Sequence, residues 1–286
     1  MSHVSGRGKT PEAQPSAAPA SASPWLPLLR SLTDISPAAG VWKNAEPALA
    51  GEGDIDFSAP RADWDGIIDR FIAWASERGF TPAVVCRHAP DTMFLLAVQP
   101  GAVGFLQLDV RSRVTFRGST VFRAEDLGPM MRMDPQGFRR LRPGAEGLLK
   151  LVLRGVSAGG RPKPSGLQRE RVAALIAEDP EGARRAAAFF GLGERALLAG
   201  MEAVAASRWN RPAMIGVEVW SILRGVVEPA TAWRRVRSRL SDRDPCPVLH
   251  VLRRLGRAVP VDLPAWLAVV STTDVVVGDA FGKRMV

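Results

Sequence analysis

Closely spaced aspartates on strand-like segments are the residues of this chain best suited to chemistry. In residues 53–57, acidic and apolar side chains alternate, so Asp54 and Asp56 are expected on one side of a β-strand. Two carboxylates held that close repel each other, and a divalent cation relieves the repulsion. Mg²⁺ suits such a pair because it prefers carboxylate oxygens, water and substrate phosphates. The pair therefore predicts a site for Mg²⁺ or Mn²⁺.

A third aspartate, Asp109, ends the alternating segment 105–110 and shares a face with Gln107. If this segment forms a strand beside the first one, all three carboxylates converge. Three carboxylates can hold two metal ions ~3.5–4 Å apart, which activate an attacking oxygen and stabilise a leaving one. The simpler alternative is a solvated acidic pair on the first strand and a strand-end ion pair at Asp109.

The order of these features resembles the nucleotidyltransferase superfamily, which includes DNA polymerase beta-like and aminoglycoside-modifying enzymes. The core of that family has an Asp-hydrophobic-Asp strand, a following helix, and a later strand with a third aspartate. Here Asp54-Ile55-Asp56 matches the pair and Asp109 matches the third position. The resemblance implies that these aspartates are catalytic metal ligands. It also implies transfer of a nucleoside monophosphate from an NTP such as ATP to an acceptor.

Members of that family have a small Gly-Ser turn shortly before the acidic pair, and residues 40–44 occupy that place here. Gly40 fits the turn, but no serine follows it. The resemblance therefore assigns phosphate binding to Gly40, Lys43 and Asn44. We expect a loop or a helix start in this segment, with Trp42 facing the core and Lys43 facing the phosphates.

Arginines follow Asp109 at strand-like spacing, at Arg111, Arg113 and Arg117. Arg111 and Arg113 are the further nucleotide-binding candidates, because their charges would neutralise a triphosphate and its pyrophosphate leaving group. In the alternative interpretation, Arg111 or Arg113 pairs with Asp109, and the arginines keep an edge strand soluble.

The element between the acidic segments is predicted to be an amphipathic helix. Apolar residues in 64–75 recur at the spacing of one helix face, with Asp63 to cap the start and Gly79 to end it. Predicted strands follow at 83–86, 93–98 and 105–110, and an edge strand at 114–122. Helical patterns follow at 145–154, 168–177, 181–190, 194–207, 213–226, 231–240 and 247–255.

These patterns predict an α+β fold, in which a small mixed sheet of the nucleotidyltransferase type precedes an all-helical C-terminal domain. The predicted limits are a disordered tail at 1–24, an α/β domain at 25–156 and a helical domain at 165–286.

The composition limits the class of protein. Of the 286 residues, 46% are hydrophobic and 23% are charged, which excludes a disordered or collagen-like chain. The first residues lack the apolar core of a secretory signal, and no apolar run is long enough to cross a membrane. Two distant cysteines predict neither a disulfide framework nor a zinc site. We expect a cytoplasmic protein without a membrane partner.

The basic charge leaves two alternative functions open. Lysine and arginine total 38 against 29 acidic residues, and arginine, which suits phosphates, dominates. A nucleic-acid-binding protein is one alternative, with the basic segment 138–142 as a candidate contact, although a GC-rich genome also produces arginine-rich chains. A catalytically inactive regulator with the nucleotidyltransferase fold is the other. For the enzyme, the acceptor is a small molecule, a protein or RNA.

Overall fold

A computed structural model describes residues 23–51, 53–80, 83–89, 91–98, 105–163, 168–227, 233, 275–278 and 284–285. Its α-helices are α1 (Leu26–Thr33), α2 (Ala45–Leu49), α3 (Trp64–Glu77), α4 (Ala124–Leu127), α5 (Pro143–Gly155), α6 (Arg169–Glu178), α7 (Pro180–Ala188), α8 (Glu194–Ala205) and α9 (Arg211–Val227). Its strands are β1 (Gly40–Lys43), β2 (Ile55–Ser58), β3 (Ala83–Ala89), β4 (Thr92–Val98), β5 (Phe105–Arg111), β6 (Arg113–Phe116), β7 (Ser119–Arg123), β8 (Met131–Met133), β9 (Arg139–Leu141), β10 (Val156–Ser157), β11 (Arg161–Pro162), β12 (Val275–Gly278) and β13 (Arg284–Met285).

The main sheet is mixed and follows the strand order β13-β12-β3-β4-β5-β2-β1-β9-β8. Its central strands β2 and β5 are parallel, because α3 and the β3–β4 hairpin separate them along the chain. β1 is antiparallel to β2 and parallel to β9. The predicted α+β class with a mixed sheet is confirmed. The stretch predicted as all-helical from residue 165 also contains β12, which pairs with β3.

Helix α3 covers one face of the sheet with the predicted apolar stripe. Trp64, Ile67, Phe71 and other stripe residues are buried in one core cluster together with Ile55 of β2. Gly79 follows the helix in the left-handed conformation at φ 66°, as predicted. The predicted capping bond from the Asp63 side chain does not form, although Asp63 occupies the N-cap position.

Helices α5 to α9 and the β6–β7 hairpin form a second core cluster. Trp42 of β1 belongs to this second cluster, whereas its neighbour Val41 belongs to the first. Adjacent residues of β1 therefore pack into different cores, on opposite faces of the strand. The burial of Trp42 agrees with the prediction that it faces the core. This cluster includes residues on both sides of the predicted boundary at 156–165, and the domain limits stay a prediction.

Several predicted elements differ in detail from those observed. Residues 114–122 form the β6–β7 hairpin instead of one edge strand, because the turn at Arg117 and Gly118 has positive φ angles. The helix predicted at 247–255, the helix predicted at 231–240 apart from residue 233, and most of the predicted tail lie outside the described residues. In the described part of the chain, no helix is both long and apolar enough to cross a membrane.

Candidate functional site

Asp56 and Asp109 lie side by side at the centre of the sheet. They are register partners on the parallel strands β2 and β5, and neighbouring strands lie ~4.8 Å apart. Both residues are buried, at 3% and 5% exposure, while Ile55 and Phe57 enter the first core cluster. The alternation predicted from the sequence therefore brings these two carboxylates together.

Asp54 is the residue immediately before β2, near the same place. The observed strand therefore begins after Asp54, and only Asp56 of the predicted acidic pair lies within it. Gln107 of β5 connects Asp54 to Asp109. The Gln107 Nε2 amide donates to Asp109 Oδ1 at 2.5 Å and lies 3.5 Å from Asp54 Oδ2. The sequence placed Gln107 on the Asp109 face without assigning it a role. A buried amide on an apolar strand needs hydrogen-bond partners. That requirement is the feature of the sequence from which a role for Gln107 could have been predicted.

Lys43 supplies a positive charge to this acidic cluster through an irregularity in β1. Between Val41 and Lys43 the pairing shifts by one residue, so two residues of β1 oppose one of β2, as in a β-bulge. The bulge sets Lys43 opposite Asp56, and the Lys43 Nζ lies 2.7 Å from Asp56 Oδ2. The Nζ also lies 4.9 Å from the centre of the Trp42 ring. The segment is thus a strand and not the predicted loop or helix start, and Lys43 binds a carboxylate here.

The burial of these acids shifts their protonation. Burial, followed by the negative charges of Asp54 and Asp56, raises the pKa of Asp109 to about 7, against an opposing side-chain hydrogen bond. Burial also raises the pKa of Asp56 above its ordinary value, although the Lys43 ammonium opposes this shift. The positive charge around Asp56 and Asp109 is therefore too small to keep both carboxyl groups fully ionised.

Gly40 and Asn44 occupy positions unlike the predicted phosphate-binding turn. Gly40 lies inside β1, where a Cβ atom would stand 3.0 Å from the carbonyl oxygen of Arg139, so its role is close strand packing. The predicted turn at Gly40 is wrong. Asn44 joins β1 to α2 with a left-handed φ of 56°, and its backbone N–H donates to Glu146 Oε1 at 3.0 Å. The sequence offered no signal for this contact with buried Glu146.

The two arginines predicted to bind nucleotide lie in different surroundings. Arg111, at the end of β5, is close enough to Asp56 and Asp109 for its charge to oppose the rise in the pKa of both, and its guanidinium lies 6.0 Å from the Trp42 ring centre. Arg113 begins β6, and its Nε lies 3.7 Å from an oxygen of Asp91. The structure therefore brings Arg111, and not Arg113, to the acidic cluster.

The acidic cluster is not arranged as a closed metal site. Among the described residues, no three histidine, cysteine, aspartate or glutamate side chains are arranged to hold a metal ion. Lys43 and the Gln107 amide instead bind the carboxylate oxygens. The donor chemistry still fits Mg²⁺, because one or two carboxylates suffice when phosphate oxygens and water complete its coordination. Asp56 and Asp109 fit as those ligands if Lys43 turns away from Asp56.

No protein family model, curated protein or solved structure matches this chain significantly. The resemblance to nucleotidyltransferases therefore stays a prediction, which rests on the spacing of Asp54, Asp56 and Asp109 in the sequence and on the pairing of Asp56 with Asp109 in the sheet.

Proposed function

We propose that this protein is a metal-dependent nucleotidyltransferase, which transfers a nucleoside monophosphate from an NTP to a small-molecule, protein or RNA acceptor. The observation that carries the proposal is the pair of buried carboxylates, Asp56 and Asp109, at one register position of two parallel strands. Burying carboxylates side by side destabilises a fold unless a positive charge offsets the repulsion. A divalent cation would provide that charge, with phosphate oxygens of the triphosphate and water completing its coordination.

Within this proposal, Asp56 and Asp109 hold the cation, Mg²⁺ or Mn²⁺. The bound ion would neutralise charge on the triphosphate and on the leaving pyrophosphate. Asp54 adds negative charge at the edge of the cluster and shares the Gln107 amide with Asp109. As a ligand of that cation, Asp109 would also help to deprotonate an acceptor hydroxyl, whose own pKa the bound cation would lower.

Lys43 and Arg111 are the cations closest to these carboxylates in the proposal. Lys43 holds Asp56 in the absence of substrate, and a phosphate would compete for its ammonium group. The positive charge of Arg111 already interacts electrostatically with both buried aspartates. Positioning and charge neutralisation of this kind supply most of the catalysis in phosphoryl transfer. Arg113 and Gly40 have no part in this arrangement.

No specific observation favours the nucleic-acid-binding alternative. The basic segment 138–142 uses its charges within the fold. Arg139 donates to two backbone carbonyl oxygens at the end of α1, and Arg140 pairs with three acidic side chains. Arg142 donates two hydrogen bonds to Asp179, at 2.9 and 2.5 Å. These arginines are therefore poor candidates for contacts with a nucleic-acid backbone.

Calorimetric titration with each NTP tests the proposal. Binding is expected in Mg²⁺ and is expected to weaken at least about tenfold in EDTA, because the ion links phosphate to carboxylate. Asp109→Asn should weaken the binding in Mg²⁺ similarly, whereas Asp34→Asn, the same change at an exposed site after α1, should not. Equal NTP binding in Mg²⁺ and EDTA would contradict the proposal.

A further inference from the structure

A cavity of about 240 Å³ lies beside the acidic cluster, on the side of Lys43. It is lined by Lys43, Asn44, Lys150, Arg154, Gln168, Arg171 and Val172, and we call it the basic pocket. Four of the seven lining residues are cationic and none is acidic. Lys150, Arg154 and Arg171 lie on two different helices and form no motif, so the sequence alone did not predict them as a site.

The buried cations of the basic pocket share their acidic partners with other groups. Lys43 is paired with Asp56, and the Lys150 Nζ lies 2.6 Å from Glu146 Oε1. That glutamate also lies 3.6 Å from Arg140 and accepts a backbone N–H, so its single charge is divided. Burial lowers the pKa of Lys150 although Glu146 opposes the shift. The ammonium of Lys150 is therefore incompletely neutralised.

The outer cations of the pocket are neutralised still less. The Arg171 guanidinium lies 3.7 Å from Glu46, and that exposed glutamate also pairs with Arg140. Arg154, at the end of α5, makes no ion pair with any described residue. The described part of the chain thus leaves net positive charge in a concave site, an arrangement that attracts anions.

The first turn of α6 borders the same cavity through Gln168, Arg171 and Val172. The N-terminal turn of a helix has backbone N–H groups without helical partners and a partial positive charge. The cavity volume of about 240 Å³ is below the roughly 300–1,000 Å³ of pockets that enclose drug-sized ligands. The pocket therefore has room for a small anionic group such as a phosphate.

We propose that the basic pocket binds a phosphate group of a substrate, with Lys150, Arg154 and Arg171 as the recognising residues. The phosphate has one of two sources: the polyphosphate chain of an NTP, or a phosphate ester on the acceptor. Assigning either source rests on the proposed function, because Lys43 borders both the pocket and the acidic cluster. The binding of phosphate itself depends only on the pocket.

Calorimetric titration with inorganic pyrophosphate, in EDTA and at fixed ionic strength, tests the proposal on the full chain. The wild type is expected to bind, and Arg154→Gln to weaken binding at least about tenfold through loss of a charged hydrogen-bond donor. Arg78→Gln removes the same charge from the exposed end of α3 and serves as the matched control, with a change below about twofold. Arg154→Lys should recover part of the affinity. Arg154 is exposed and makes no ion pair with any residue in the described part of the chain, so its replacement is not expected to affect folding.

Absence of pyrophosphate binding by the wild type would overturn the proposal. An equal loss in Arg154→Gln and Arg78→Gln would also overturn it, because attraction by the net charge of the protein would then explain the binding. Competition between pyrophosphate and an NTP in Mg²⁺ would identify the NTP chain as the source, and simultaneous binding would identify the acceptor. Asp109→Asn should keep metal-free pyrophosphate binding, so the pocket and the proposed enzyme function can fail separately.

Discussion

At the scale of single residues, the acidic cluster depends on Lys43 for its stability. Both side chains of the 2.7 Å Lys43–Asp56 contact are buried. Asp109 instead accepts a hydrogen bond from the neutral Gln107 amide. A buried carboxylate with an incomplete set of partners destabilises the folded state and is retained where chemistry requires it. The cluster is therefore expected to make the protein less stable than a neutral version of the same core.

Asp109→Asn should make the metal-free protein more stable at neutral pH. The folded state holds a proton on Asp109 that the unfolded state releases between the ordinary value of 3.8 and about 7. The folded protein binds more protons in that window, so stability falls there as the pH rises. The substitution removes this loss, for an expected gain of roughly 1–3 kcal/mol at pH 8 and little change at pH 4. Urea unfolding across pH measures it, with Asp34→Asn as control.

Lys43→Met should destabilise the fold by roughly 3 kcal/mol, because it leaves the buried Asp56 charge without its partner. The double variant Lys43→Met with Asp56→Asn should recover most of this loss, since neither group is then a buried charge. Thermal or urea unfolding of the single and double variants gives the coupling energy. Additive effects of the two substitutions would contradict the ion pair described here.

At the scale of elements, α3 and the alternating strands could be predicted because their patterns are local. The periodicity of 64–75 fixes a helix, and the alternation around Asp56 and Asp109 fixes which side chains share a face. The bulge that aims Lys43 at Asp56 could not be predicted, because it depends on the register between β1 and β2. The basic pocket depends in turn on how α5 packs against α6. Such non-local pairings leave no periodic signal in one sequence.

Close packing of α5 against α7 gives a prediction at this scale. A Cβ atom on Gly144 would stand 1.8 Å from the carbonyl oxygen of Asp179 and 2.5 Å from the backbone nitrogen of Ala183. Gly144→Ala should therefore separate the two helices and destabilise the protein by at least ~2 kcal/mol. Gly66→Ala is the matched control within α3, where nothing lies within 4 Å. It should stabilise by ~0.5–1 kcal/mol. Similar unfolding midpoints for the two variants would contradict this packing.

At the scale of the whole molecule, the two faces of the mixed sheet pack against different core clusters. Its first core cluster with α3 is apolar and holds the strands in place. Asp56 and Asp109 interrupt the apolar pattern of the two central strands, and the helices of the second core cluster carry the basic pocket beside Lys43. Acidic and basic groups thus meet at one place. This arrangement suits a reaction in which a metal cation held by the acidic groups and the basic side chains both contact one phosphate chain.

Binding of Mn²⁺ in the presence of a non-hydrolysable NTP analogue tests whether Asp56 and Asp109 are the ligands of the cation. Water-proton relaxation distinguishes Mn²⁺ bound to protein from Mn²⁺ bound to free nucleotide. Strong enhancement is expected for the wild type and for Asp34→Asn, and at least about tenfold weaker Mn²⁺ binding for Asp56→Asn and Asp109→Asn. Mn²⁺ binding of equal strength in all four proteins would contradict the assignment of these carboxylates as the cation ligands.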